Sequence, residues 1–415
     1  MRTDRMQQPD VVIFGGGAAG LWLLDELVRL GRTALLLESG RLGSGQTIAA
    51  QGIIHGGLKY SLSGARTAAA EEVREMPALW RRCLAGERQP DLRDVRSRAD
   101  ACYLWRGRSL GSRLGYLGAR LGLEVTPQPI DDSQRPESLA EHVGPVARLA
   151  EPVIDPVSLV ETLACRHHER LLAYERQRIT FSLSGPGEVA SLVVSHPWDR
   201  LPGASLRLQP GAVVLAAGAG NAGLRRELGL EADAMQRRPL HMVMVRGDLP
   251  SLCGHQVDGA RTRLTITSDT DRSGRTVWQL GGQIAEDGVP MEPAELVNYA
   301  ATELAEVLPS LGLAGLEATT YRVDRAEPAM PGGRRPETTG VLVEGNTLTA
   351  WPTKLALVPV LTEQVIEHLK PGWTDGSVTP EFSPDWPRPD VALPPWETVS
   401  GWVPLVTSQT SRQAA

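Results

Sequence analysis

The chain has 415 residues, an apolar fraction of 41%, a charged fraction of 22% and a formal net charge of −6. That length carries two domains and a large core. The acidic balance excludes the basic footprint that nucleic acid demands, and no apolar run reaches the roughly 20 residues of a membrane span.

The opening segment "MRTDRMQQPD" has neither an apolar run nor a cleavage pattern, so no signal peptide is expected. Cys83, Cys102, Cys165 and Cys253 are far apart and form no CxxC or ligand-like spacing. Reduced thiols and a cytoplasmic location follow as expectations.

"PDVVIFGGGAAGLWLLDELVRLGRTALLLES" predicts strand, glycine turn, helix and strand. Val11 to Phe14 is a run suited to a buried parallel strand. Gly15, Gly17 and Gly20 give GxGxxG: a tight turn, close approach to a pyrophosphate, and close packing of helix on strand. Leu21, Leu24, Leu27 and Val28 form an apolar stripe at helical spacing. Gly31 stops the helix, and Thr33 to Leu37 forms the second strand. Glu38 lies roughly 20 residues beyond the turn, where an acid hydrogen-bonds a ribose hydroxyl and disfavours a 2′-phosphate. The helix N-terminus, through Gly17, Ala18 and Ala19, offers N–H groups to phosphates.

Beyond Glu38 and Ser39 the chain runs through "GRLGSGQTIAAQGIIHGGLKY", a polar, glycine-rich loop where a nicotinamide-type unit would continue into another helix. This N-terminal region resembles the D-amino-acid oxidase superfamily of FAD enzymes, and "IIHGGLKY" is similar to the "IHGGLRY" segment of glycerol-3-phosphate dehydrogenases. The resemblance implies a two-domain α/β fold: a Rossmann-like, glutathione-reductase-type FAD domain and a mixed or antiparallel β-sheet substrate domain. It implies FAD as cofactor and oxidation of a small, anionic amine or hydroxy acid by hydride transfer to flavin N5. It places Gly45, Gln46, Thr47, Gln51, Gly52, Ile54, His55 and Gly56 along the cofactor, His55 near the flavin ring. A histidine that only fixes the loop is the competing reading.

"EPVIDPVSLVETLACRHHERL" predicts a helix from about Pro156, ending near His167 and His168. "RITFSLS", "EVASLVVSH" and "ASLRLQ" predict a meander. "GAVVLAAGAGNAGLRREL" then brings a second GxGxxG, Gly218, Gly220 and Gly223, after an apolar strand from Ala212. Read alone it suggests an NAD(P)H site. Read with the meander it closes the FAD domain, with Ala217, Gly218 and Gly220 approaching the cofactor. "LHMVMVRG", "TRLTITS" and "RTVWQLGG" predict strands, and Pro293 to Leu308 an amphipathic helix.

A strand then ends at Tyr321, Arg322, Asp324 and Arg325. Tyr321 and Arg325 are candidates for holding an anionic substrate; an Arg325–Asp324 surface pair is the alternative. "WPTKLALVP" opens the last helix. By resemblance Thr353, Lys354 and Leu355 approach the flavin, with Lys354 at its N1–C2=O edge. Trp351 and Pro352 stand where the family pattern has glycines.

The expected division is 1–82, 151–235 and 322–370 for the FAD domain, and 83–150 and 236–321 for the substrate domain. A tail of residues 371–415, with eight prolines and four tryptophans, packs on the body. An NAD(P)H-dependent flavin reductase, a non-catalytic FAD-binding module and a quinone-linked dehydrogenase are the alternative functions.

Overall fold

The computed structural model describes residues 6–57, 68–107, 127–197, 205–258, 261–370 and 386–406. It is a mixed α/β fold built on two large sheets. β1 (Val11–Phe14) is the centre of the first, a six-stranded sheet. β2 (Ala34–Glu38) and the strand Ala212–Leu215 flank it, both parallel to it. Leu171–Ala173 and Thr347–Trp351 extend the parallel set, and Gly340–Glu344 adds an antiparallel edge.

The uninterrupted apolar character of β1 and β2 has a direct cause: both faces are buried. Val11, Ile13, Ala34 and Leu36 point into a core with α1 (Ala18–Arg29) and the helices Pro156–Arg166 and Val358–Leu369. Val12, Phe14, Leu35 and Leu37 point the other way, into a core with the three-stranded meander of Ile179–Gly185, Glu188–Ser195 and Ser205–Leu208. Leu21, Leu24 and Leu27 of α1 are fully buried. The helix ends at Arg29, and Gly31 follows in the left-handed region.

The second sheet has nine strands. Its backbone is the antiparallel pair Met235–Gly247 and Glu317–Pro328, registered from Met235 opposite Pro328 to Arg246 opposite Glu317. Thr276–Gly281 and Arg261–Thr270 form a hairpin beside it. Helix Pro293–Val307 covers one face through Leu296, Ala300 and Leu304 against Val243, Leu264 and Trp278.

The residue-82/83 division falls inside helix Ala68–Leu84, and Leu92 and Val95 still pack with the first core. The chain enters the nine-stranded sheet with Cys102–Arg106. Strand Glu317–Pro328 belongs to that sheet to its end, past residue 322. Of the tail, Val403–Pro404 adds an edge strand to the same sheet. Trp386 and Trp396 are buried, and Arg246 stacks 3.9 Å from the Trp402 ring centroid. Trp373 lies outside the described residues.

Gly20 shows how tightly the first unit is built. A Cβ there would sit 2.0 Å from the Gly15 carbonyl oxygen, against backbone that cannot yield. Gly20→Ala is expected to cost roughly 3 kcal/mol or more of stability, read as a shift in the urea midpoint. An unchanged midpoint would show that helix and turn are not in this contact.

Candidate active site

The glycine turn leaves β1 with Gly15 at φ +109. A Cβ on Gly15 would meet the Ala217 Cα at 2.5 Å, so the second glycine segment abuts the first turn. Ala217 N–H donates to Asn221 Oδ1 at 2.8 Å, and Gly220 N–H donates back to the Ala217 carbonyl at 2.9 Å. Glu38 closes the far side. Its Oε2 accepts from Gly16 N–H and its Oε1 from Gly40 N–H, each at 2.7 Å. Burial pushes the Glu38 carboxyl up, against the pull of those donors. Ser39 and Gly45 face solvent.

The loop beyond β2 is stitched to this turn. Gly43 N–H donates to the Gly16 carbonyl at 2.8 Å, and Ala18 N–H donates to Thr47 Oγ1 at 3.1 Å, which satisfies one orphan donor of α1. From Gln46 onward the chain crosses to the other sheet. Gln46 Oε1 accepts from Ala326 N–H at 3.0 Å. Gln51 Nε2 reaches the Gln279 carbonyl at 3.0 Å and the Thr265 carbonyl at 3.2 Å. The Gln51 side chain is thus committed to the nine-stranded sheet. Gly52 (φ +78) passes so close to strand Val153–Ile154 that a Cβ would lie 2.0 Å from the Ile154 carbonyl oxygen. Ile54 turns its side chain into the first core.

Past Ile54 the chain meets a cavity of about 520 Å³ between the sheets. Gln46, Gln51, His55, Arg325, Lys354 and Leu355 all line it, brought together from three separated segments. Two lining residues, Glu151 and His255, carried no sequence signal. Glu151 is 1% exposed. Its Oε1 accepts from Gly56 N–H at 2.6 Å. Its Oε2 stands 3.6 Å from His55 Nδ1 and 3.7 Å from His255 Nε2. His255 is buried, with Nδ1 2.9 Å from Thr265 Oγ1. The two imidazole centroids are 5.5 Å apart.

The charges follow from this packing. Burial works against the Glu151 carboxylate, but the His255 and His55 rings hold it well below the usual carboxylate range. The His55 side chain keeps 45% of its surface open, onto the cavity that it lines. Desolvation there pushes its imidazole below the ordinary value, against the Glu151 charge; His255 and Lys354 add to the downward push.

Arg325 lies in the cavity wall with Nη1 3.1 Å from Glu286 Oε1. The alternative partner, Asp324, pairs with Arg237 at 3.7 Å. Tyr321 differs from expectation. Its hydroxyl donates to the Ala49 carbonyl at 3.2 Å and accepts from Gln279 Nε2 at 2.9 Å, and it is not among the lining residues. It braces the crossing loop. Lys354 precedes the turn Leu355–Leu357 that leads into helix Val358–Leu369. Thr353, beside it, has φ 58, an outlier conformation for a β-branched residue. Residues 58–60 of "IIHGGLKY" lie outside the described residues.

A family model for FAD-dependent oxidoreductases, DAO, matches residues 10–347. The chain belongs to the DAO family of FAD-dependent oxidoreductases. A probable FAD-dependent oxidoreductase of Pseudomonas aeruginosa is 42% identical over 395 residues, 94% of this chain and 97% of that protein. The crystal structure of that DAO-family relative superposes with a TM-score of 0.78 at 39% identity, over 95% of this chain and 98% of the other. Glycine oxidase from Geobacillus kaustophilus shares the fold at TM-score 0.61 and 18% identity, over 89% and 96% of the two chains. The FAD-bound L-α-glycerophosphate oxidase of Mycoplasma pneumoniae shares it at 0.60 and 14%, over 94% and 100%. Among the described residues of this DAO-family chain, no helix is long and apolar enough to cross a membrane.

The buried carboxylate gives a pH prediction. A Glu151 pKa depressed by folding contributes stability that is present above the unfolded value and lost as pH falls toward the folded one. Glu151→Gln should therefore cost roughly 2–3 kcal/mol near neutral pH. The gap between variant and native protein should narrow from about pH 5 downward, around the ordinary glutamate value. Urea midpoints across a pH series check this; a gap independent of pH would contradict it.

Proposed function

We propose that this FAD-dependent oxidoreductase oxidises a small anionic amine or hydroxy acid at the C–H bond beside the nitrogen or oxygen. In this reading the sheet around β1 is a glutathione-reductase-type FAD domain and the nine-stranded sheet is the substrate domain. The observation that carries it is the cavity where His55, Lys354 and Arg325 meet between the two sheets.

The residues present fit FAD. Among the described residues, a Cβ on Gly17 would meet Thr47 Oγ1 alone, at 3.1 Å. The protein itself demands little of that position, whereas a pyrophosphate would need its backbone bare. Glu38, fixed from both sides by N–H donors, suits a ribose. Among the described residues, the buried Thr353 Oγ1 has no hydrogen-bond partner, on a strained backbone beside Lys354, as expected of a segment shaped for a ligand. When bound, FAD supplies the acceptor for the hydride. The chain's own work is to orient the substrate and to stabilise developing charge. Arg325 suits a carboxylate through paired N–H donors. Lys354 and the helix N-terminus behind it present positive potential to negative charge developing nearby.

A nicotinamide site at the second glycine motif is disfavoured. Ala217 is pressed against Gly15, and a Cβ on Gly223 would lie 2.1 Å from Arg176 Nη2. After helix Asn221–Glu227 the next strand, Met235–Gly247, joins the other sheet, so no second βαβ unit forms.

Chromatography of the cofactor released on denaturation should give FAD and not FMN. Gly17→Val should yield folded but colourless protein. NADH and NADPH should fail to bleach the flavin anaerobically, whereas a screen of amines, amino acids and hydroxy acids should find a compound that does. Rapid bleaching by either nucleotide would replace this reading with a flavin reductase.

A further inference from the structure

We propose that Glu151, His255 and His55 form a binding site for one divalent transition-metal ion of the zinc class, with the ion's remaining position open to the cavity. The site stands on the geometry of these three side chains and does not depend on which substrate is oxidised.

The geometry begins with a carboxylate oxygen left over. Glu151 is 1% exposed, and its Oε1 accepts from Gly56 N–H at 2.6 Å. Among the described residues, its buried Oε2 has no hydrogen-bond partner. An anionic oxygen shut away from water is costly unless a proton donor or a cation reaches it. Facing it are His55 Nδ1 at 3.6 Å and His255 Nε2 at 3.7 Å. Those separations exceed the roughly 2.7–3.2 Å of an N–H···O hydrogen bond. They suit a shared ion, since two donors each about 2.1 Å from a tetrahedral ion stand about 3.4 Å apart. One donor atom from each of the three side chains lies within 4.8 Å of the other two. A movement of about 1 Å at His55 closes such a set to bonding distances. His55 has that freedom: it lies on the crossing loop, and 45% of its side-chain surface is open.

The other two ligands are held by the fold. Glu151 sits in the link between strands Val146–Leu149 and Val153–Ile154, and His255 on strand Gly254–Asp258. His255 Nδ1 is 2.9 Å from Thr265 Oγ1. With Nδ1–H donated to that hydroxyl, the lone pair is left on Nε2, the atom that faces Glu151 Oε2. A lone pair against a carboxylate oxygen repels, and a cation between them turns the contact favourable. Gly56 behind the carboxylate and Thr265 behind the imidazole are outer partners of the kind that orient the ligands of metal centres.

The donor set gives the class of ion. Two imidazoles and one carboxylate, with no thiolate, suit Zn²⁺ and its divalent neighbours, whereas Mg²⁺ and Ca²⁺ take oxygen ligands. Three protein ligands leave one position of a tetrahedral ion unfilled. His55, Glu151 and His255 all line the cavity, so that position faces it and takes water or an anionic oxygen. Arg325 and Lys354 line the same cavity, and a further cation there strengthens the preference for an anion. The competing account places a proton between Glu151 and the imidazoles, and no ion.

The test uses the full-length, FAD-loaded protein, treated with chelator, dialysed and titrated with Zn²⁺ in a calorimeter. About one ion per chain should bind, and saturating Zn²⁺ should raise the urea midpoint. Mg²⁺ at the same concentration should do neither. Thr265→Val should weaken Zn²⁺ binding by roughly 10-fold, the effect of losing an outer partner. Glu151→Gln, which keeps an acceptor for Gly56 N–H, and His255→Gln should weaken it by more than about 100-fold. His55→Ala alters a half-open loop side chain, so it serves as the ligand-loss variant if the buried ones do not fold; it should weaken binding by at least about 10-fold. Zn²⁺ that binds native and His55→Ala protein equally is adventitious binding elsewhere and overturns the proposal. Absence of one-to-one binding in the native protein also overturns it, in favour of the shared proton. Neither result bears on the FAD reading, which the released cofactor checks separately.

Discussion

Irregular backbone buried between two sheets persists only if its polar atoms find partners, and residues 43–57 meet that constraint by borrowing from both sides. The glycine turn supplies the Gly16 carbonyl, and Thr47 returns an acceptor to α1. The other sheet answers through Ala326, Thr265 and Gln279. Near the end of the crossing the chain bonds beside strand Val153–Ile154, with Ile154 N–H donating to the Gly52 carbonyl and Ile54 N–H to the Pro152 carbonyl, and Gly56 N–H is satisfied by the buried carboxylate of Glu151. That carboxylate in turn requires the imidazoles of His55 and His255 beside it. The architecture of the cavity wall thus follows from solving one hydrogen-bonding problem.

The same wall is electrostatically uneven. Glu151 is an anion facing two imidazoles, while Lys354 and Arg325 reach the cavity from the C-terminal segments. Thr353 adds a different feature. A β-branched residue at φ 58 costs on the order of 1–3 kcal/mol and persists only where its surroundings over-determine it. Here those surroundings are the buried strand Thr347–Trp351 before it and the helix Val358–Leu369 after it. Trp80 braces the same segment, its indole donating to the Ala356 carbonyl at 3.0 Å.

What was legible in the sequence was local or periodic. β1, the glycine turn, α1 and β2 declare themselves through adjacent residues, and the meander and hairpin through alternation and turn residues. The family likeness pointed further along the chain, to His55 and Lys354, which the fold brings to one cavity. Glu151 and His255 were not legible, because each is an ordinary residue in an ordinary context, the link "LAEPV" between two strands and the strand "CGHQV". They acquire meaning only when the fold brings them to His55 from distant parts of the chain. Side-chain direction in the crossing loop was equally hidden. Gln51 and Ile54 lie three residues apart in one irregular segment, yet one enters the nine-stranded sheet and the other the first core. Tyr321 shows the converse: a polar aromatic at a strand end suggests a ligand contact, but tertiary packing gives its hydroxyl to Ala49 and Gln279.

The crossing segment delivers His55, with Glu151 and His255 beside it, to the cavity between the sheets, where we propose that the flavin reacts. A crystal structure of the FAD-loaded protein tests it most directly. The isoalloxazine ring is expected in the cavity, with His55 on one side and Lys354 approaching from another, and with Glu151 still accepting from Gly56 N–H. An isoalloxazine bound outside this cavity, or a His55 ring turned away from it into the core, would contradict the account.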